Sequence, residues 1–156
     1  MTALEEQVAA LTHRVQALED ELAIHRLIVR YGLAVDIGDA ERSAGVFAED
    51  GVYDVDVGLM RGRGDVMQMV RSEKHQGMLP NCAHQIGPAV VEVHGDRAVA
   101  TGYSRVYRKQ GDTVAIHRVS FNRWELERRR DGWQIVRRTT RLLGHPEARA
   151  VFAEGL

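Results

Sequence analysis

Three turn signals, Gly95-Asp96, Gly111-Asp112 and Asp131-Gly132, punctuate the second half of the chain at near-regular intervals. The segments they separate, "AHQIGPAVVEVHGD", "RAVATGYSRVYRKQGD", "TVAIHRVSFNRWELERRRDG" and "WQIVRRTTRLLG", are strand-like throughout. Short turns between consecutive strands demand antiparallel neighbours, so this half of the chain must form a meander. The first half reads as helices, and 156 residues hold one domain with a sizeable core rather than two. An α+β fold follows: a cone-shaped barrel in which a curved, mainly antiparallel sheet wraps around the N-terminal helices and encloses an interior.

The helical half opens with a heptad seam. Leu4, Val8, Leu11, Val15, Leu18 and Leu22 recur at alternating spacings of four and three, with Glu, Gln, Arg and Thr between them. Valine at one seam position and leucine at the other suit a parallel pair of helices, so residues 1–22 are expected to form a coiled-coil-like helix and residues 23–156 the barrel domain. A homo-oligomer, dimer or trimer, is the expectation; the alternative is a helix folded back over its own domain. The apolar phase continues through Ile24, Leu27, Ile28 and Tyr31, and "DIGD" ends the helix with Gly38 as a stop. Asp39 then caps a short helix over 40–48, "DGVYDVDVG" alternates as a strand, and "RGRGD", with Gly62 and Gly64 as turn residues, leads into a helix from Asp65 to about His75.

Several function classes are disfavoured. A net charge of −1 supplies no basic field for nucleic acid, and the run Arg128–Arg130 beside a turn reads as a solvated face. No apolar run approaches the roughly 18 residues that span a bilayer, so no membrane association is expected. The single cysteine, Cys82, and the absence of a signal-peptide pattern at the N-terminus fit a cytoplasmic protein. The seven histidines show no close metal-ligand spacing, and "GRGDVM" fails as a nucleotide-binding fingerprint, so neither a metal nor another cofactor is expected.

Asp36 breaks two local rules. It places a carboxylate at the negative end of a helix macrodipole, in phase with the apolar stripe of Val29, Gly32 and Leu33. His84 is a second misplaced polar group, on a strand face whose neighbours are Cys82 and Ile86. A lone histidine there is more often a satisfied core residue, yet a carboxylate able to take its N–H would fix its tautomer and leave the other nitrogen as a base. Tyr31 lies one and a half turns before Asp36 and can share the same cavity, or simply pack. On the last strand Arg137, Thr139 and Arg141 share a face opposite Arg138, Thr140 and Leu142, and one face must look inward. Arg141 is the candidate for holding developing negative charge, with a surface role as its alternative. Val35, Phe47, Ile86 and Phe121 supply apolar walls for a small hydrophobic substrate.

The order of elements, with "YGLAVD" on the first domain helix, "CAHQIG" opening the long sheet and "DGWQIVRRTTR" as the last strand, resembles the SnoaL-like branch of the nuclear transport factor 2-like superfamily over about residues 23–143. Within it the motifs are most similar to bile acid 7α-dehydratase and hexachlorocyclohexane dehydrochlorinase. That resemblance implies a catalytic pair at Asp36 and His84, with Tyr31 on an active-site tyrosine and Arg141 on an active-site arginine. Similarity to scytalone dehydratase adds His117 as a possible further polar ligand. The implied activity is cofactor-independent elimination of water or another leaving group from a cyclic, steroid-like or polyketide-like substrate. An isomerase or polyketide cyclase using the same pair, and a non-catalytic binding or assembly module, are the alternatives, because this fold hosts many functions.

Overall fold

Capping explains where the long helix begins and ends. In the computed structural model, which describes residues 2–153, α1 runs unbroken from Ala3 to Asp36. Thr2 and Glu5 close a capping box at its start. At its end Ile37 is the cap and Gly38 adopts the left-handed φ of 72° that suits glycine. The heptad segment and the first domain helix are therefore one continuous rod, with no break between residues 22 and 23. Asp39 accepts the Arg42 N–H and starts α2 (Ala40–Gly45), which stops short of residue 48 because the chain enters β1 (Phe47–Val55) at Phe47.

Beyond β1 the structure adds elements that the sequence pattern does not signal. A short strand β2 (Gly58–Arg61) folds back on β1, so "DGVYDVDVG" is one arm of a hairpin. The next helix, α3 (Gly62–Arg71), starts earlier than expected because Asp65 accepts the Arg61 N–H; Gly62 is a turn residue with φ 77°, whereas Gly64 lies inside the helix. A single turn, α4 (Glu73–Gln76), follows. The meander is then β3 (Cys82–His94), β4 (Arg97–Gln110), β5 (Thr113–Arg129) and β6 (Gly132–Leu142), each antiparallel to the next. The six-stranded sheet has the order β2-β1-β6-β5-β4-β3, with β1 joining β6 in parallel. A last short helix, α5 (Ala148–Ala153), packs on the outside of β5 and β6.

Register shifts in the sheet redirect its side chains. Val106 faces Arg118 and Tyr107 faces Ile116, which leaves His117 as the extra residue of a bulge. Glu125 faces Arg137 and Leu126 faces Ile135, which makes Val136 a second bulge. Because alternate residues of a strand face opposite sides, each extra residue switches the face that the following residues present. Trp133 and Ile135 point into the core before the Val136 bulge, and Arg138 and Thr140 do so after it.

The concave face of the sheet closes over Ile24, Ile28, Tyr31 and Val35 of α1, packed with Phe47, Trp124, Leu126 and Ile135. Among the contacts that tie the helix to the sheet are those at Gly32 and Asp20. Gly32 lets α1 approach β3 so closely that an added Cβ would lie 3.0 Å from the His84 carbonyl oxygen. One end of the cone is held by Asp20, buried on α1, which accepts two hydrogen bonds from Arg128 (2.7 and 2.9 Å) and one from the Trp133 indole (3.2 Å). Arg128 also pairs with Asp96 and covers the Trp133 ring, so it is a structural anchor rather than part of a solvated run. Among the described residues no helix is long and apolar enough to cross a membrane.

Gly32→Val should therefore destabilise the fold by about 1–3 kcal/mol through overpacking against β3, read as a lower urea midpoint with an unchanged slope. The Arg128 hydrogen bonds hold the Asp20 carboxyl below its ordinary pKa, against the opposing effect of burial. A folded pKa below the unfolded value of about 3.9 means stability that is present above that pH and lost as the pH falls through the folded value. Asp20→Asn should accordingly be less stable than the wild type at pH 7, and urea titrations should show the gap narrowing as the pH drops below about 4.

Candidate active site

Between α1, the α3–α4 segment and the inner face of the sheet lies a cavity of about 270 Å³. Its walls are largely apolar, with Val35, Val55, Val57, Met60, Met69, Met78, Ile86 and Val106 on them. The polar groups are Tyr31, Tyr53, His75, His84, Arg118, Arg138 and the hydroxyls of Ser104, Ser120 and Thr140, with Ser72 and Lys74 from the α3–α4 segment. That combination is typical of a small-molecule site.

His84 sits on β3, directly beneath the end of α1. Its backbone N–H donates to Asp36 Oδ2 at 2.7 Å, and its Nδ1 lies 2.6 Å from Asp36 Oδ1. The carboxylate accepts on both oxygens, which sets the Nδ1–H tautomer and leaves the lone pair on Nε2. Nε2 has no hydrogen-bond partner among the described residues, and the His84 ring borders the cavity. A second histidine, His75 on α4, is also buried against the cavity and donates from Nε2 to the Val35 carbonyl at 2.8 Å. Its ring centre lies 6.4 Å from that of His84. The "KHQ" turn around His75 carries no sequence signal beyond a possible helix end.

Across the cavity a buried guanidinium faces the pair. Arg138 is 3% exposed, and among the described residues it makes no ion pair with a carboxylate. Its Nε and Nη2 donate to Asn122 Oδ1 at 3.1 and 2.8 Å, and its charge lies over the rings of Tyr53 (4.6 Å) and Tyr31 (4.9 Å). Asn122 also accepts from Thr140 and donates to Ser104, so one fully buried amide organises the cavity floor. The other cavity arginine, Arg118, is neutralised by Asp56; burial pushes that carboxyl up, and Arg118 brings it below its ordinary value. Burial, reinforced by the adjacent Tyr53, raises the Tyr31 phenol well above its ordinary pKa, so it stays protonated with a proton to donate.

The model of a SnoaL-like domain matches residues 16–139 of this chain, which takes in the second half of α1, most of the sheet and all but one of the residues lining the cavity. The chain belongs to the SnoaL-like domain family. Among solved structures, an NTF2-like protein with a cystatin-like fold from Novosphingobium aromaticivorans is 41% identical, covering 90% of this chain and 94% of its own, with a TM-score of 0.87. A second protein from that organism, provisionally called an aromatic ring hydroxylase, is 26% identical over 81% of this chain and 90% of its own, with a TM-score of 0.62. A Mycobacterium tuberculosis protein of unknown function has the same fold at 24% identity, covering 85% and 89% of the two chains, with a TM-score of 0.71. No functionally curated protein matches the sequence.

Within this SnoaL-like domain the residues singled out from sequence fall into two groups. Tyr31, Val35, His84 and Ile86 line the cavity, with Asp36 directly behind His84. Four others lie elsewhere. Arg141 points to the opposite side of β6 and bonds Asp54 (2.9 Å) and Glu147 (2.9 Å), because the Val136 bulge gives the inward position to Arg138. Those two carboxylates hold its pKa above the ordinary arginine value. His117 is the exposed bulge residue, and its neighbour Arg118 takes the cavity position. Phe121 faces outward into a cluster with Tyr103 and Phe152 (centroids 5.1 and 4.6 Å away) beneath α5. Phe47 is fully buried behind the cavity wall, 5.8 Å from Tyr31 and 5.9 Å from Tyr53, and positions those rings without lining the space.

Asp36, Cys82 and His84 are close enough in combination to ligate a metal ion. Both Asp36 oxygens are already engaged by His84, and burial together with the Asp36 charge raises the Cys82 thiol pKa, which opposes a thiolate ligand. The donor set therefore suits an internal hydrogen bond better than a cation. Asn122→Ala removes the acceptor shared by Arg138 and Thr140 and should cost about 1–3 kcal/mol or more in chemical denaturation, whereas Asn122→Asp should recover much of that loss by meeting Arg138 with a carboxylate.

Proposed function

We propose that this domain is a cofactor-independent lyase that eliminates water from a hydrophobic cyclic substrate, with His84 as the base. The observation that carries this reading is the His84 ring itself: Nδ1 is held by Asp36, while Nε2 is unpartnered at the edge of an apolar cavity. In this mechanism Nε2 takes a proton from the carbon next to a substrate carbonyl, and Asp36 stabilises the imidazolium that forms. Negative charge then develops on the carbonyl oxygen. Arg138, a buried cation with only neutral hydrogen-bond partners, is suited to stabilise it. The carbon–oxygen bond to the leaving hydroxyl breaks as the enolate collapses to a conjugated alkene. Tyr31 donates a hydrogen bond to the departing oxygen, which takes the proton from the imidazolium, so water leaves and His84 is ready for another turnover.

The volume and the run of aliphatic and methionine side chains on the walls suit a ring compound of modest size better than a sugar phosphate. The test is turnover of cyclic β-hydroxyketones, followed by mass spectrometry for loss of one water. Asp36→Asn and His84→Ala should each lower kcat by about 10²–10⁴-fold while the unfolding transition stays near that of the wild type. Arg138→Met should lower kcat as well, and Arg141→Met should not. Undiminished activity in both Asp36→Asn and His84→Ala would remove the pair from the chemistry. A product of unchanged mass would redirect the same base to isomerisation or cyclisation.

A further inference from the structure

The N-terminal half of α1 carries an apolar stripe that the domain leaves uncovered. Leu4, Val8, Leu11, Val15, Leu18 and Leu22 are 48–69% exposed. The stripe cannot turn inward, because the back of the same helix is held against the chain's own sheet: Asp20 is bonded to Arg128 and Trp133, and Ile24 and Ile28 are buried in the core. The helix is therefore fixed in rotation, with its seam facing away from the domain.

We propose that this stripe pairs with the same stripe of a second copy of the chain, in a parallel, in-register, two-stranded coiled coil. The seam residues support that occupant. In heptad notation Val8 and Val15 fall at a, Leu4, Leu11 and Leu18 at d, and Leu22 at a, which is the β-branched a and leucine d pattern that favours two parallel strands. The flanking charges agree. In a parallel pair each g residue meets the e residue five positions later on the partner helix, which matches Arg14 with Glu19 and Glu21 with Arg26. By symmetry each match occurs twice. Arg14, Glu19 and Arg26 are exposed and, among the described residues, have no ion-pair partner within the chain; Glu21 meets only His25, at 3.6 Å.

An antiparallel pair that keeps all six apolar residues in the seam fares worse. It sets Leu4 against Leu22, Val8 against Leu18 and Leu11 against Val15, and it then brings Arg14 onto Arg14 and Glu5 onto Glu19. A shifted antiparallel register relieves those repulsions but puts His25 opposite Val8 in the seam. Pairing through this stripe involves none of the cavity residues, so it is independent of the proposed chemistry.

Light scattering on the full chain should give twice the 17.5 kDa chain mass. Leu11→Glu with Leu18→Glu should halve that mass while the domain's cooperative unfolding persists, since both positions are exposed in the single chain. Arg14→Glu should weaken association at low salt, and adding Glu19→Arg should restore it. Leu11→Cys should cross-link to itself under oxidation when the wild type does not, because only the parallel in-register pair places the two copies of residue 11 face to face. A monomeric wild type, a three-chain mass, an unchanged mass in the double glutamate variant, or failure of Leu11→Cys to cross-link in an intact dimer would each overturn the arrangement.

Discussion

The contact between Asp36 and His84 joins the last residue of the long helix to the start of the edge strand β3. One carboxylate receives the His84 backbone N–H and its ring Nδ1, so the same group satisfies a strand end and orients an imidazole. Gly32 makes the contact geometrically possible by letting the helix lie almost against the His84 carbonyl. A carboxylate at a helix C-terminus is opposed by the helix dipole, and two hydrogen bonds from one partner residue offset that penalty. The helix, the strand and the candidate base are thus positioned by one local constraint.

The cavity floor follows a different logic. A guanidinium removed from water costs several kcal/mol unless it is paired, and Arg138 has an amide oxygen and aromatic faces instead of a carboxylate. Asn122 distributes that charge into a network with Thr140 and Ser104 without neutralising it. The positive potential therefore remains available to a ligand. Arg118 and Arg141 make the contrast plain, since each is neutralised by carboxylates of its own chain.

Much of the architecture is legible in local signals. The hairpin turns dictate the antiparallel meander, Gly38 marks the end of α1, and the misplaced Asp36 and His84 point to one another. Alternation along the last strand leaves open which face looks inward, and the family resemblance points to Arg141, whereas the pairing of the strands gives the inward place to Arg138. Trp133 and Ile135 face inward, and the extra residue at Val136 then shifts the inward positions to Arg138 and Thr140. The His117 bulge does the same on β5, and α5 covers the outward face that Phe121 joins. A bulge consists of two residues opposing one on a neighbouring strand, and because the inward positions beyond Val136 are the polar Arg138 and Thr140, the hydrophobic pattern does not reveal the change of phase.

The sequence alone determined the features set by near neighbours along the chain: a helix with a heptad seam, its stop at Gly38, the turns of the meander and the polar residues that violate their local surroundings. Tertiary structure decided what depends on distant partners. It joined β1 to β6 in parallel, brought His75 to the same cavity as His84, and gave Arg138 the inward place. Capping and turn preferences act over three or four residues, whereas a cavity is defined by walls from across the whole chain. Which side chain faces it is settled only when the strands have chosen their register.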